Sequence, residues 1–202
     1  MSTPSMGQGP DPKHPMAPAP SVRQEIYLIT GIPAAGKSTI AQLLAERLPN
    51  SVHVRGDLFR RMVVNGRADM TADPSDEEVR QLRLRHQLTA KVVNAYFDAG
   101  FTVIAQDVIL GDHLTEMVAQ IHNRPLHVIA LIPDSEAIAS RDAHRPKTAY
   151  GTWAVAPLEH VLRKETPRIG LWLDTSALTP AQSVDEVLSR SRDEARIEDY
   201  TS

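Results

Sequence analysis

The chain has 202 residues, and its 22 Lys and Arg against 25 Asp and Glu give a formal net charge of −3. This balance disfavours nucleic-acid and membrane-surface proteins, which usually carry a basic excess. The lack of cysteine excludes disulfides, thiolate zinc sites and thiol nucleophiles, and it fits a reducing cytoplasm. With 42% hydrophobic and 23% charged residues, the composition predicts a single soluble domain without a transmembrane helix or a signal peptide.

Both ends of the chain differ in composition from its middle. Six of the fifteen prolines fall within the first 20 residues, among Ser, Gly and Met, so a disordered tail is predicted over 1–23. The folded domain is expected over 24–190. Residues 191–202 mix both charge signs and predict a flexible tail, either a frayed helix or a disordered segment.

Short apolar runs alternate with segments of helical periodicity along this domain. In chain order, the predicted elements are a strand over 25–30, a helix from 38 to 48, a strand over 51–55, a helix over 58–64, a helix over 75–99, a strand over 101–106, a helix over 114–122, a strand over 127–132, a helix over 135–143, a strand over 169–173 and a helix from 180. Ser75 with Glu78, and Thr179 with Gln182, have the spacing of capping boxes. Strands that alternate with helices predict an α/β fold with a mostly parallel, five-stranded sheet.

The first strand is followed by a glycine-rich turn. Residues 31–38 read GIPAAGKS and match G-x-x-x-x-G-K-[ST], the phosphate-binding loop. Such a turn, leading into a helix, aims several backbone N–H groups at phosphate oxygens. Lys37 would add a charge at the β- and γ-phosphates, and the Ser38 hydroxyl could bind Mg²⁺. The alternative is an ordinary strand–turn–helix connection. The predicted ATP contacts in this loop are Gly31, Ala34, Ala35, Gly36, Lys37, Ser38 and Thr39.

The second strand ends in Arg55-Gly56-Asp57-Leu58-Phe59-Arg60, which places a carboxylate at the edge where open α/β sheets bind ligands. Here the sequence resembles the small P-loop kinases, namely the chloramphenicol phosphotransferase, adenylylsulfate kinase, gluconate kinase and zeta-toxin groups. The resemblance implies a three-layer P-loop NTPase fold with a small helical lid, and it implies that Asp57 is the base for an acceptor hydroxyl. Asp57 with Arg60 forms a D-x-x-R motif, also found in adenylylsulfate kinase, so Arg60 is a candidate substrate contact. Asp57 as a helix cap and Arg60 as a surface residue are the alternatives.

The third strand ends in Gln106-Asp107. A carboxylate there can hold a Mg²⁺-bound water or contact the acceptor. Asp107 is therefore predicted as a metal and substrate residue, with helix capping as the alternative. Whether Asp57 or Asp107 is the main base stays open.

Arg141 and Arg145 lie four residues apart before Pro146. In the resembling kinases such arginines belong to a lid that closes over the phosphates, which predicts a lid over 141–155 and catalytic roles for both residues. A solvated helix end is the alternative. Asp174 and Thr175 follow the fifth strand and are candidate nucleotide contacts.

These features predict a kinase that transfers the γ-phosphate of ATP, with Mg²⁺, to a hydroxyl of a small molecule. The resemblance suggests an antibiotic or another secondary metabolite as the acceptor. A zeta-toxin-like nucleotide-sugar kinase, and an ATPase or switch without an acceptor, are the alternatives. The expected partner is a small-molecule acceptor, with no nucleic acid and no membrane. The protein is predicted to be a monomer or homodimer, and a cytoplasmic location is predicted.

Overall fold

A computed structural model of the chain describes residues 23–71, 73–143 and 155–197. Its centre is a parallel sheet in the order β2-β3-β1-β4-β5. The five strands are β1 (Ile26–Thr30), β2 (Ser51–Arg55), β3 (Thr102–Gln106), β4 (Leu126–Leu131) and β5 (Leu171–Leu173). The predicted parallel α/β sheet is therefore confirmed. β1 lies at its centre, so the loop that leaves β1 has loops of the sheet on both sides.

Seven α-helices connect and flank the strands within the described residues. They are α1 (Lys37–Arg47), α2 (Asp57–Met62), α3 (Asp76–Asp98), α4 (His113–Gln120), α5 (Ser135–Ala143), α6 (Val155–His160) and α7 (Pro180–Arg190). Both predicted capping boxes are present, at Ser75 before α3 and at Thr179 before α7. α6 and the π-helical turn Val161–Glu165 that continues it were not predicted.

The helices cover both faces of the sheet and give the predicted three layers. On one face, α1 and α7 bury Leu44 and Val184 against strand residues such as Ile29. On the other face, α3 and α4 bury Val93 and Met117 in a second apolar cluster. Both faces of the strands are buried, which explains why the strands appear in the sequence as continuous apolar runs.

The end of the chain departs from the prediction. Residues 191–202 were expected to form a flexible tail, but Ser191–Ala195 form a π-helical turn and Arg196–Ile197 form a sixth strand, β6, antiparallel to β4. His127 Nδ1 lies 2.9 Å from the Ser191 carbonyl oxygen, and Ala195 is fully buried. The prediction is wrong for 191–197 because these contacts are distant in sequence and leave no local pattern.

Other predicted segments are only partly described. The predicted N-terminal tail, except for Arg23, lies outside the described residues, and so does the predicted lid between 144 and 154. Within residues 23–71, 73–143 and 155–197, none of the helices has both the length and the apolar character that a transmembrane span requires.

Candidate active site

The loop between β1 and α1 has the backbone shape of a phosphate cradle. Gly31 has a φ of 142° and Gly36 a φ of 96°, and a Cβ on Gly31 would lie 2.8 Å from the Leu131 carbonyl oxygen. Glycine is therefore required at both positions. Lys37 begins α1 and is only 7% exposed, and its Nζ donates a hydrogen bond of 2.8 Å to the Ile32 carbonyl. The Lys37 ammonium group thus lies inside the loop, where a bound phosphate group would also lie.

The strand order divides the surroundings of this loop into two sides. The loops after β2 and β3 lie on one side of β1, and the loops after β4 and β5 lie on the other. Ligands of open α/β sheets bind at this carboxyl edge, where the connections diverge. Asp57 and Asp107 belong to the first side, whereas Arg141 and Thr175 belong to the second.

Asp107 is the buried acid of the site. It is 3% exposed, its Oδ1 accepts a hydrogen bond of 2.8 Å from the Val108 N–H, and its Oδ2 lies 2.9 Å from Arg85 Nε. Burial raises the pKa of Asp107, and Arg85, the Val108 N–H and Lys37 oppose that rise. Helix α4 begins after Asp112, so Asp107 does not cap it. Its carboxylate is held between the phosphate-loop lysine and α3.

Gly56 explains how two acidic loops come so close. Its N–H donates to the Gln106 carbonyl at 3.0 Å, and a Cβ at this position would overlap the Asp107 carboxylate. Only glycine lets the turn after β2 pack directly on the end of β3. The next residue, Asp57, is thereby placed beside Asp107, and its charge contributes to the raised pKa of Asp107.

Asp57 is the more accessible acid, with 28% of its side chain exposed. Gly56 occupies the N-cap position of α2 and no side-chain cap bond is made there, so Asp57 does not act as a hydrogen-bonding cap. Its carboxylate forms an ion pair with Arg61, and its Oδ1 lies 3.6 Å from Arg55 Nε. Arg60, the predicted substrate contact, is instead paired with Asp69 at 2.6 Å.

Arg141 connects the phosphate loop to the loop after β5. Its Nη1 donates to the Ala35 carbonyl at 3.3 Å and to Thr175 Oγ1 at 3.2 Å, and its Nη2 donates to the Thr175 carbonyl at 2.6 Å. The second lid arginine, Arg145, lies outside the described residues.

Asp174 belongs to the same loop, but its carboxylate is turned to Ser176. Its Oδ1 accepts hydrogen bonds from the Ser176 N–H and hydroxyl, and these bonds lower the pKa of Asp174. The structure thus brings Thr175, but not the Asp174 carboxylate, into contact with Arg141.

Two residues of α3 were missed by the sequence analysis. Arg85 supplies the counter-ion of Asp107, and its neighbour His86 is 3% exposed with its ring 5.6 Å from that of His113. Burial lowers the pKa of His86 to about 3, with Arg85 and His113 adding to the effect, so its ring is neutral at pH 7. A polar residue on the buried stripe of a long helix was the available signal.

The fit of the site to Mg²⁺ follows from its donors. Within the described residues, no group of three or more His, Cys, Asp or Glu side chains could hold a metal ion. Mg²⁺ usually keeps several waters and binds to one or two protein oxygens together with substrate phosphates. Ser38, in the first turn of α1, and Asp107 fit that pattern, the latter through a water: its Oδ1 accepts the Val108 N–H, and its buried Oδ2 has an ion pair with Arg85 but no hydrogen bond among the described residues.

The glycine-rich loop, its buried lysine and the parallel sheet together define a P-loop protein. Residues 26–164 match a family model described as an AAA domain, and the chain belongs to this family. No match was found among curated proteins.

Solved structures with the same fold include small kinases. A sugar kinase from Janibacter sp. HTCC2649 superposes with a TM-score of 0.59 at 20% identity, covering 86% of this chain and 96% of that one. The tunicamycin resistance protein of Deinococcus radiodurans gives 0.61 at 19% identity, with 88% and 100% covered. A gluconokinase from Sinorhizobium meliloti 1021 gives 0.50 at 14%, with 83% and 92% covered. These similarities confirm the predicted small P-loop kinase fold.

Proposed function

We propose that the protein is an ATP-dependent kinase that phosphorylates a hydroxyl group of a small molecule. The observation that carries the proposal is the pair of acids at the carboxyl edge of the sheet, Asp57 and Asp107, on one side of Lys37. An ATPase or switch needs a water site but no second pocket with its own base. The partly exposed Asp57, whose neighbour Arg55 lines an open groove at the phosphate loop, favours a kinase.

In the proposed reaction each side chain has a separate task. The loop N–H groups and Lys37 hold the β- and γ-phosphates, and Mg²⁺, bound by Ser38 and through water by Asp107, would neutralise phosphate charge. The acceptor oxygen forms a bond to the γ-phosphorus while the bond to the β,γ-bridging oxygen breaks and ADP leaves. Asp57 takes the hydroxyl proton and later releases it to solvent.

Asp57 is the better candidate for the base. Asp107 is buried, and its two oxygens face the Val108 N–H and Arg85. Asp57 has only exposed or half-exposed arginines on it, which an acceptor can displace. Arg141, already at the phosphate loop, is placed to contact the triphosphate from the opposite side.

The acceptor is left to experiment. Two of the proteins with a similar structure are a sugar kinase and a tunicamycin resistance protein, so sugars and antibiotics both belong in a screen. We propose nucleotide and this acceptor as the small-molecule ligands of a cytoplasmic monomer or homodimer that binds neither nucleic acid nor membrane.

The test is ATP turnover measured with and without a panel of hexoses, gluconate and nucleoside antibiotics. We expect one class of hydroxyl compound to raise ADP release and to gain a phosphoryl group detectable by mass spectrometry. Lys37→Ala should lower that rate ~10²-fold or more. Lys91→Ala, which removes an exposed lysine of α3, should not. Equal turnover with and without every hydroxyl compound would identify an ATPase instead.

A further inference from the structure

The stretch that follows β2 has more arginines than acids. Residues 55–71 contain four Arg and two Asp, a net charge of 4 − 2 = +2 in a chain of net charge −3. Each aspartate is shared by two arginines: Asp57 by Arg55 and Arg61, and Asp69 by Arg60 and Arg67. In the stretch after β2, each pair of guanidinium groups therefore shares a single carboxylate as its counter-ion.

Two of the polar atoms at Asp57 have no hydrogen-bond partner among the described residues. They are Arg55 Nε and Asp57 Oδ1, both shielded from solvent and 3.6 Å apart. A hydroxyl group donates one hydrogen bond and accepts others, so it could satisfy both atoms once the side chains that shield them move aside. Arg55 also lines a groove of about 340 Å³ together with His53 and with Ser38 and Thr39 at the phosphate loop. The groove therefore leads from the phosphate loop towards the proposed base.

The charge at this position changes during the proposed reaction. Before transfer, Arg55 and Arg61 share one carboxylate, but when Asp57 takes the hydroxyl proton that carboxylate becomes neutral. The two guanidinium groups then lose the anion that they shared. The phosphoryl group brings charge to the acceptor oxygen only as transfer completes, whereas a carboxylate or phosphate already on the acceptor can pair with the guanidinium groups throughout the reaction.

We propose that the acceptor carries a carboxylate or phosphate group close to its reactive hydroxyl, and that Arg55 and Arg61 bind this group. Arg61 exchanges Asp57 for the acceptor's anion, which frees the Asp57 oxygens for the hydroxyl. The inference rests on the proposed function, because it concerns the acceptor side of that site. It narrows the substrate class to anionic hydroxyl compounds.

The first experiment measures anion binding without any turnover. The protein is saturated with Mg²⁺ and a non-hydrolysable ATP analogue, so that the phosphate loop is filled, and is then titrated calorimetrically with inorganic phosphate and with acetate. Wild type should bind at least one of them, and the preferred anion tells phosphate from carboxylate. Arg61→Ala should weaken that binding about 10- to 100-fold. Arg61→Lys should restore little of it, because the planar fork is lost.

Arg47→Ala is the matched control, since Arg47 is also a half-exposed arginine in an ion pair but contacts Asp185 of α7. It should bind the anion as wild type does. Equal anion affinity in wild type and Arg61→Ala, or no binding by wild type, would overturn the inference. Thermal unfolding of each variant checks that its fold is intact.

The second experiment measures transfer to matched acceptors. Gluconate is compared with sorbitol, and glucose 6-phosphate with glucose, since each pair differs in an anionic group. Phosphorylation of an anionic member, with a KM that rises in Arg61→Ala, supports the inference, whereas transfer to the neutral members alone refutes it. Arg61-dependent anion binding without transfer to any hydroxyl compound would count against the proposed kinase activity and leave the anion site standing.

Discussion

Asp57 and Asp107 show how the surroundings of a side chain decide its chemistry. Both are aspartates that follow a parallel strand, and Gly56 brings them together. Asp107 is buried between Arg85 and the Val108 N–H, while Asp57 is half-exposed between two surface arginines. A carboxylate with fixed partners can position a hydrated ion, but a proton acceptor must exchange its partners during each cycle.

Replacing Asp57 by asparagine tests this division of roles. Asp57→Asn keeps the size of the side chain but cannot take the hydroxyl proton, so kcat should fall by roughly 10²–10⁴. Nucleotide affinity and Tm should stay close to wild type. Asp185→Asn, which alters an exposed aspartate of α7 paired with Arg47, serves as the control. A kcat within a few-fold of wild type would move the role of base to another acid.

His86 makes the stability of the fold depend on pH. The pKa of His86 is about 3 in the folded protein and 6.5 in the unfolded chain. The neutral, buried ring therefore contributes its full stability above pH 6.5, and this contribution is lost as the pH falls towards 3. Between pH 7 and pH 5, the free energy of unfolding should fall by about 2 kcal/mol through this residue. Urea denaturation at both pH values measures the loss.

The contribution of His86 is isolated by substitution. His86→Gln should make the loss between pH 7 and pH 5 about 2 kcal/mol smaller than in wild type. His122→Gln, which removes an exposed histidine after α4, should leave it unchanged. If His86→Gln and wild type lose the same stability, this histidine is protonated equally in the folded and unfolded states.

At the scale of secondary-structure elements, the C-terminal segment can be tested by truncation. Ending the chain after Arg190 removes buried Ser191 and Ala195 and leaves His127 without its carbonyl partner. We expect a loss of about 2 kcal/mol, which corresponds to a fall in Tm of about 4–8 °C for a protein of this size. Ending the chain after Ile197 keeps β6 and should not change Tm. Circular dichroism measures the Tm of both truncated chains. Equal Tm values would show that residues 191–197 add nothing to stability.

The sequence predicts elements well where local chemistry determines them. The capping boxes at Ser75 and Thr179 and the apolar strands are properties of a few neighbouring residues, and all are present. The fifth strand is shorter than predicted, 171–173 instead of 169–173, because Gly170 turns the chain with a φ of 71°. β6 is two residues long and depends on β4, so no periodic pattern could reveal it.

The same limit applies to the candidate site. Lys37, Asp57 and Asp107 could be identified from the sequence as candidate site residues, because a motif or a strand end marks each position. Arg85 could not be selected, since its partner Asp107 is reached only when α3 packs on the sheet. The D-x-x-R spacing pointed to Arg60, whose role as a substrate contact stays a prediction; the fold pairs Arg60 with Asp69 and pairs Asp57 with Arg61, which the spacing did not indicate.

At the scale of the whole molecule, Arg141 ties the central phosphate loop to the loop after β5 through Ala35 and Thr175. Arg141→Ala should therefore lower Tm without nucleotide and also weaken nucleotide binding, because the phosphate loop and the loop after β5 lose a common tie. An ATP analogue at 100 times its Kd should stabilise wild type by about 2.7 kcal/mol. Thermal shift titrations should give a smaller shift for Arg141→Ala at that concentration, and the wild-type shift for Arg47→Ala. If the ATP analogue raises the Tm of Arg141→Ala as much as that of wild type, Arg141 stabilises the fold but does not contribute to nucleotide binding.

The strand order also has a consequence for how this protein could diversify. Since β1 separates the loops after β2 and β3 from those after β4 and β5, the proposed acceptor contacts and nucleotide contacts come from different stretches of chain. A chimera that exchanges residues 57–100 for the matching segment of another protein with this fold would alter the acceptor-side surface. The phosphate loop, Arg141 and Thr175 would stay as they are. The proposed acceptor side is in this sense modular, provided that the exchanged segment again supplies a counter-ion for Asp107, as Arg85 does here.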